Sequence, residues 1–270
     1  MVIDFHTHIF PDAIAEKTIR FLGEKASIRA KTDGTAAGLL HSMEEGGTDL
    51  SVILPVLTNP SQFRSILSFA ERLNKTYPQR LFSFGGIHPD SEQYKQELRQ
   101  IRDAGLLGVK LHPDYQGVMI DDPRYLRIMD YASELGLVIV THAGVDIGYP
   151  DLVHCPPDRM RKVLDQIKPP KMVVAHYGGW RQWEMVYEYL AGEKVYLDTA
   201  FTLQEIPQEL FLKIFQKHGA KHILYATDSP WGSQKEDLKN LKKLPLTKEE
   251  QELVLWRNAA KLLHIQKKLW

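Results

Sequence analysis

The chain has 270 residues, 43% of them hydrophobic and 25% charged, enough to fill one large core or two small ones. Its formal net charge is zero, which excludes a basic field able to hold a nucleic-acid backbone, so no nucleic-acid partner is expected.

Taken in chain order, short apolar runs alternate with longer amphipathic ones. The first run, MVIDF (1–5), leads directly into His6 and His8. A polar, weakly patterned stretch, GEKASIRAKTDG (23–34), reads as a mobile lid. A second run follows at 49–56, then a helix over 60–77 with Ile66, Phe69, Ala70 and Leu73 at three-to-four spacing. The run at 81–87 ends in His88, and a helix follows at 91–104. The run at 105–111 carries Lys110 and ends beside His112; a helix is predicted at 123–135. The run at 137–141 ends in His142. It opens into a long loop, 144–160, with three prolines and Cys155, of the kind that sets substrate choice at a barrel mouth. A helix at 158–168 leads to the run at 171–175, ending in His176. Helices at 181–191 and 207–219 flank the run at 194–200, and the run at 222–227 ends in Asp228. Thr247 and Glu250 form a capping-box signature before a helix over 252–263.

The eight runs are near-continuously apolar and rich in Val, Ile and Leu, which suits parallel strands buried on both faces. Strand–helix alternation repeated eight times predicts a single (β/α)8 TIM barrel over residues 1–270. A doubly wound open sheet is the competing reading, but no Gly-rich phosphate loop follows the first run. There is no basic leader with a cleavage site, and no apolar run of bilayer-spanning length. With one cysteine, this predicts a cytoplasmic protein without a membrane partner. Trp270 suggests packing against another surface, as in a homodimer.

In such a barrel the active site lies at the C-terminal ends of the strands. Six of the eleven histidines fall there. A lone histidine at a strand end is more often a hydrogen-bonded structural residue. Several converging on one mouth leave polar groups that need a shared partner, and a divalent cation supplies it. Side chains at i and i+2 of a strand share a face, so His6 and His8 are spaced to grip one ion.

The pieces DFHTHIFP (4–11), GIHPD (86–90), GVKLHPDYQ (108–116), VTHAG (140–144), VVAHYGG (173–179), YATDSPWG (225–232) and NAAKLL (258–263) resemble the amidohydrolase superfamily. The likeness is to the branch of the aminocarboxymuconate-semialdehyde decarboxylase relatives, and it covers almost the whole chain. It implies a (β/α)8 barrel with one or two divalent ions, zinc first, with manganese or iron as alternatives. It implies that His6, His8, His142 and Asp228 bind the ion. His176 is either a ligand to a second ion or a catalytic histidine beside the first. Lys110 stands where some branches carry a carboxylated, bridging lysine; otherwise it pairs with a carboxylate or contacts substrate. It departs from the glutamate of the related barrel nucleases.

The expected function is metal-dependent hydrolysis of a small amide, ester or lactone, with Asp228 as general base and then acid. The alternative is a non-oxidative decarboxylase of a small unsaturated or aromatic acid, favoured by a basic residue such as Arg29 or Lys31 near the pocket. A barrel without chemistry, serving as a binding protein, is the third reading. Phe10, Tyr115, Tyr177 and Trp231 are candidates to line the substrate pocket or to pack as loop core. His88 and His112, each followed by proline, are candidates to contact substrate or support a ligand. Cys155 has no base and orienter beside it in sequence, so it reads as structural.

Overall fold

Each of the eight apolar runs supplies a barrel position. The strands are β1 (Ile3–Thr7), β2 (Leu50–Ile53), β3 (Leu81–Ser83) and its continuation β4 (Gly85–Gly86), β5 (Gly108–Leu111), β6 (Val138–Thr141), β7 (Met172–Val174), β8 (Tyr196–Asp198) and β9 (Ile223–Leu224). The computed structural model describes residues 1–265. Trp270, expected to pack against another surface, lies outside the described residues.

All strand pairs are parallel, in the orders β1-β2-β3 and β4-β5-β6-β7-β8-β9. The two arcs meet at Phe84, whose N–H donates to the Ile53 carbonyl at 2.9 Å. At the other seam Phe5 N–H donates to the Tyr225 carbonyl and Asp228 N–H to the His6 carbonyl, each at 2.9 Å. The ring so formed is a (β/α)8 barrel, as the alternation predicts.

One cluster packs residues from strands around the ring: Ile3, Phe5, Val52, Val140, Val173 and Leu224. The T-shaped pair Phe5–Phe84, 6.0 Å between centroids, belongs to it. Burying each ring stabilises the fold by about 2–3 kcal/mol. A larger cluster holds the helices against the outer strand faces. The β1–β2 register shifts between Asp4 and Thr7. Asp4 bonds Thr227 and Gln234 there, while the two histidines after it turn to the strand ends.

Helices at Phe63–Thr76, Tyr94–Asp103, Pro123–Glu134, Pro157–Ile167, Trp183–Tyr189 and Gln208–His218 match the predicted ones. Three longer ones, Asp12–Ala26, Ala36–Gly46 and Gln234–Lys243, and the short Pro113–Gln116 escape the periodicity reading. The first buries only Ala15 and leaves Ile14 and Phe21 exposed, so it has no apolar stripe to recognise. It takes in the start of the stretch expected as a lid. The remainder is tied down: Phe10 N–H donates to the Gly34 carbonyl (2.8 Å) and Lys31 N–H to the Pro230 carbonyl (2.6 Å).

Thr247 and Glu250 form the capping box. The helical stretch after it runs through a π-turn at Leu253–Arg257 into Asn258–Leu262. Ala259 and Leu262 join the inner cluster, and Lys171, just before β7, reaches His264 at 3.3 Å. This segment therefore covers the N-terminal end of the barrel. Among the described residues no helix is long and apolar enough to cross a membrane.

Candidate metal centre

The strand ends deliver their side chains to one mouth. His6, His8 and Asp228 form a group whose ligand-capable atoms lie within 4.8 Å of one another. His6 Nε2 and His8 Nε2 are 3.1 Å apart, and Asp228 Oδ1 is 3.4 Å and 3.2 Å from them. Asp228 and His176 both adopt left-handed backbone, φ +64 and +58, a conformation that costs about 1–3 kcal/mol and concentrates at functional sites.

The hydrogen bonds behind these rings fix which nitrogen carries the proton. His8 Nδ1 lies 2.7 Å from the Leu54 carbonyl, to which it must donate, so in the neutral ring the lone pair is on Nε2. His6 Nδ1 lies 2.9 Å from Asp198 Oδ2, and His6 is buried. Burial first, then Lys110, holds the His6 pKa well below 6.5, so its Nε2 also bears a lone pair. Two nitrogen lone pairs and a carboxylate oxygen thus face one point. That arrangement repels itself without a cation, and the donor set suits a divalent metal.

Lys110 points into the same corner. Its Nζ lies 3.1 Å from His6 Nε2. Burial pulls its pKa down to about 8 against the opposing effect of Asp198, Asp228 and Asp146. An ion on His6 Nε2 would exclude an ammonium from this place, so ion loading and Lys110 protonation compete.

His142 and His176 stand beside this group rather than within it. His176 Nδ1 donates to the Ala200 carbonyl at 3.0 Å, and its Nε2 faces His142 Nδ1 at 2.9 Å. His142 Nε2 turns the other way, toward Asp114 Oδ2 (3.7 Å) and Asp146 Oδ2 (4.0 Å). His142 stacks on His112 with centroids 4.4 Å apart, and His112 Nε2 is 3.6 Å from Asp146 Oδ2. His112, His142 and Asp146 form a second group with ligand atoms within 4.8 Å. Burial lowers the pKa of both histidines well below 6.5 and raises that of Asp146 to about 6.

The remaining candidates divide. Tyr115 borders the mouth, edge-on to His112 at 4.4 Å and to Tyr149 at 5.1 Å. Phe10 and Trp231 are half-buried at the strand-1 and strand-9 ends, and Trp231 N–H donates to the Asp228 carbonyl. Tyr177 is core instead: it is fully buried, stacks on Phe211 at 4.5 Å and donates its hydroxyl to the Phe211 carbonyl. His88 turns to its own loop, where Nδ1 accepts from Asp90 N–H at 3.2 Å. Lys31 pairs at the surface with Glu236, whereas Lys25, in the first helix, sits 3.2 Å over the Tyr149 ring. Cys155 is fully buried, and burial raises its thiol pKa well above 9, consistent with a structural role.

Three carboxylates escaped the sequence reading. Asp198 holds His6 through Oδ2, while its Oδ1 accepts from His176 N–H (2.9 Å) and Ala200 N–H (3.1 Å). Asp114 accepts from His154, and Asp146 lies in the long loop after β6. The one available signal is Asp198 itself, an acidic residue closing the apolar run KVYLDTA.

A family model described as amidohydrolase matches residues 3–265. No protein with a curated description matches the chain. Several solved structures share the fold. An uncharacterised TIM-barrel protein from Bordetella bronchiseptica is 18% identical with a TM-score of 0.77, covering 98% of each chain. A 5-carboxyvanillate decarboxylase from Sphingomonas paucimobilis is 14% identical with a TM-score of 0.71, covering 98% of this chain and 99% of its own. A dihydroxybenzoic acid decarboxylase from Polaromonas sp. JS666, with bound manganese and the inhibitor 2-nitroresorcinol, is 14% identical with a TM-score of 0.74, covering 100% and 99%. At these identities the likeness establishes the fold, and the family match over nearly the whole chain establishes the lineage: this chain belongs to the amidohydrolase family.

Proposed function

We propose that this protein is a metal-dependent decarboxylase of a small aromatic or unsaturated carboxylic acid. The observation that carries the reading is the convergence of His6 Nε2, His8 Nε2 and Asp228 Oδ1 on one point, with His176 and Lys110 beside it. Two structural relatives named as decarboxylases, one of them holding manganese, support it.

A divalent ion on these three residues would supply positive charge to a substrate carboxylate or acidify a water. Lys110 Nζ, displaced from His6 Nε2 by the ion, would offer an N–H donor to an oxygen of the substrate. When the bond to the carboxyl carbon breaks, carbon dioxide leaves and its electron pair stays on the substrate carbon. That carbon then takes one proton. His176 would carry it on Nε2, with His142 Nδ1, 2.9 Å away, then accepting in place of donating; what supports this is that its ring lies 5.2 Å from that of His6.

Hydrolysis of an amide, ester or lactone is the second reading, and family membership supports it. It asks Asp228 to accept a proton from water. The test is to load the protein with manganese or zinc. It is then assayed for carbon dioxide release from a panel of hydroxylated benzoic and unsaturated acids, and in parallel for hydrolysis of amides, esters and lactones. Carbon dioxide release that His176→Asn abolishes while metal content is retained is the expected result. Turnover confined to the ester, amide or lactone panel would replace this reading with the second.

A further inference from the structure

The turn after β7 inverts the pattern of its strand. Met172 and Val174 pack in the outer cluster and Val173 in the inner one. Alternation continued past the strand would send His176 outward to the helices and Tyr177 into the mouth. The structure has them the other way round. The His176 ring lies 5.2 Å from that of His6, and Tyr177 is fully buried in the outer cluster. We infer that Tyr177 is the positioning residue for His176: its ring, anchored among the helices, holds the left-handed turn that swings His176 into the mouth. The consequence for turnover rests on the proposed reaction; the geometry does not.

The first observation is the backbone. His176 and Tyr177 are consecutive residues at φ +58 and +57, and Gly178 and Gly179 follow at +87 and +159. Glycine takes such angles freely, whereas a bulky aromatic there is an outlier that its surroundings must impose. Tyr177 sends no atom to the metal group. A glycine or asparagine would make the same turn with less strain, so what the tyrosine adds must come from its side chain.

The second observation is how that side chain is fixed. Its ring stacks on Phe211 with centroids 4.5 Å apart and planes 7° from parallel, and its hydroxyl donates to the Phe211 carbonyl at 3.2 Å. Phe211 is itself buried, in the helix Gln208–His218. An extended Tyr177 would have to withdraw its ring from this slot. Other bonds hold the peptide groups on either side. Asp198 Oδ1 accepts from His176 N–H (2.9 Å), the Trp183 indole N–H donates to the His176 carbonyl (3.2 Å), and Gly178 N–H donates to the Ala175 carbonyl (3.1 Å). Those bonds fix where the turn starts and closes; the Tyr177 ring fixes the sense in which the chain passes through it. With the turn so held, His176 Nδ1 reaches the Ala200 carbonyl at 3.0 Å.

The test compares variants of the full-length protein by the nitrogen-15 shifts of the His176 ring, by metal atoms per chain, and by carbon dioxide release from a hydroxylated benzoic acid with manganese bound. Tyr177→Val should free the His176 ring from the Ala200 carbonyl, keep the metal and lose about 100-fold in rate, the lower end of what a placed proton donor contributes. Tyr177→Phe, which keeps the stack, should retain both signature and rate. Tyr177→Asn should keep more of each than Tyr177→Val, because asparagine tolerates the left-handed turn; a side chain that merely fills the core would rank the apolar valine first. Phe215→Leu, in the same cluster, should lower the melting midpoint and leave the His176 shifts and the rate unchanged. Phe211→Leu, which empties the slot, stands in if Tyr177→Val does not melt cooperatively. Wild-type His176 shifts in Tyr177→Val would overturn the inference, and so would valine outranking asparagine. If the wild type releases no carbon dioxide, the proposed reaction fails and the His176 shifts alone decide this inference.

Discussion

Asp198→Asn should disable the first metal site without disturbing the barrel. Asp198 Oδ1 accepts two backbone N–H bonds, from His176 and Ala200, and Oδ2 faces His6 Nδ1 at 2.9 Å. An asparagine at this position must choose which atom meets which partner. Turning the amide nitrogen toward the two N–H groups would leave two buried donors unpaired, at about 1–3 kcal/mol each. The oxygen therefore stays on the backbone side and the NH2 group faces His6. It can only donate, so His6 must accept at Nδ1 and move its proton to Nε2. A protonated Nε2 cannot ligate. Loss of the partner that orients a metal histidine costs 10–100-fold in affinity, and a switched tautomer places this variant at the top of that range, about 100-fold or ~2.7 kcal/mol. Competitive chelator titration with zinc measures the affinity, nitrogen-15 shifts of His6 report the tautomer, and a thermal melt checks the fold. Wild-type affinity in a variant whose His6 keeps its proton on Nδ1 would refute the reasoning.

Three further outcomes are expected. Lys110→Met should raise zinc affinity at the first site at pH 6 by at least about tenfold, because an ammonium 3.1 Å from His6 Nε2 opposes the ion. A loss of ion instead would show that Lys110 is itself a ligand, as its carboxylated form. His218 is buried, and burial first, then His222, lowers its pKa to about 4. An unfolded chain protonates it near 6.5, so its contribution is fully present above that pH and is lost as pH falls toward 4, on the order of 3 kcal/mol in all. His218→Gln should flatten denaturant-measured stability across that window, and an unchanged slope would count against the assignment. Gly144 sits at φ +82, and a Cβ there would lie 2.1 Å from Trp180 N. Gly144→Ala should cost at least about 3 kcal/mol and separate the loops after β6 and β7, read as a lowered melting midpoint; an unaltered midpoint would show that the close approach relaxes freely.

Much of the barrel and part of its site were legible in the sequence, for a reason that particular residues make plain. Runs such as LVIVT and KMVVA are apolar throughout because both faces of a parallel strand are covered, and that needs no tertiary knowledge to read. Polar residues that interrupt or end those runs fall at the mouth, which is how His6, His8 and Asp228 could be grouped. The helix Asp12–Ala26 was not legible, because it exposes Ile14 and Phe21 and buries little. Ring orientation was not legible either. His142 ends its strand as expected, yet its Nε2 turns to Asp114 and Asp146, and Tyr177 turns inward onto Phe211. A strand end fixes where a Cα sits. Which way its imidazole turns, and which nitrogen bears the proton, depends on partners 22 to 192 residues away in the chain, such as Asp198 for both His6 and His176. The sequence by itself determined the alternation and the stock of ligands, because periodicity is local. Only the tertiary structure decided how those ligands divide between two clusters, because hydrogen-bond partners meet only when the ring closes.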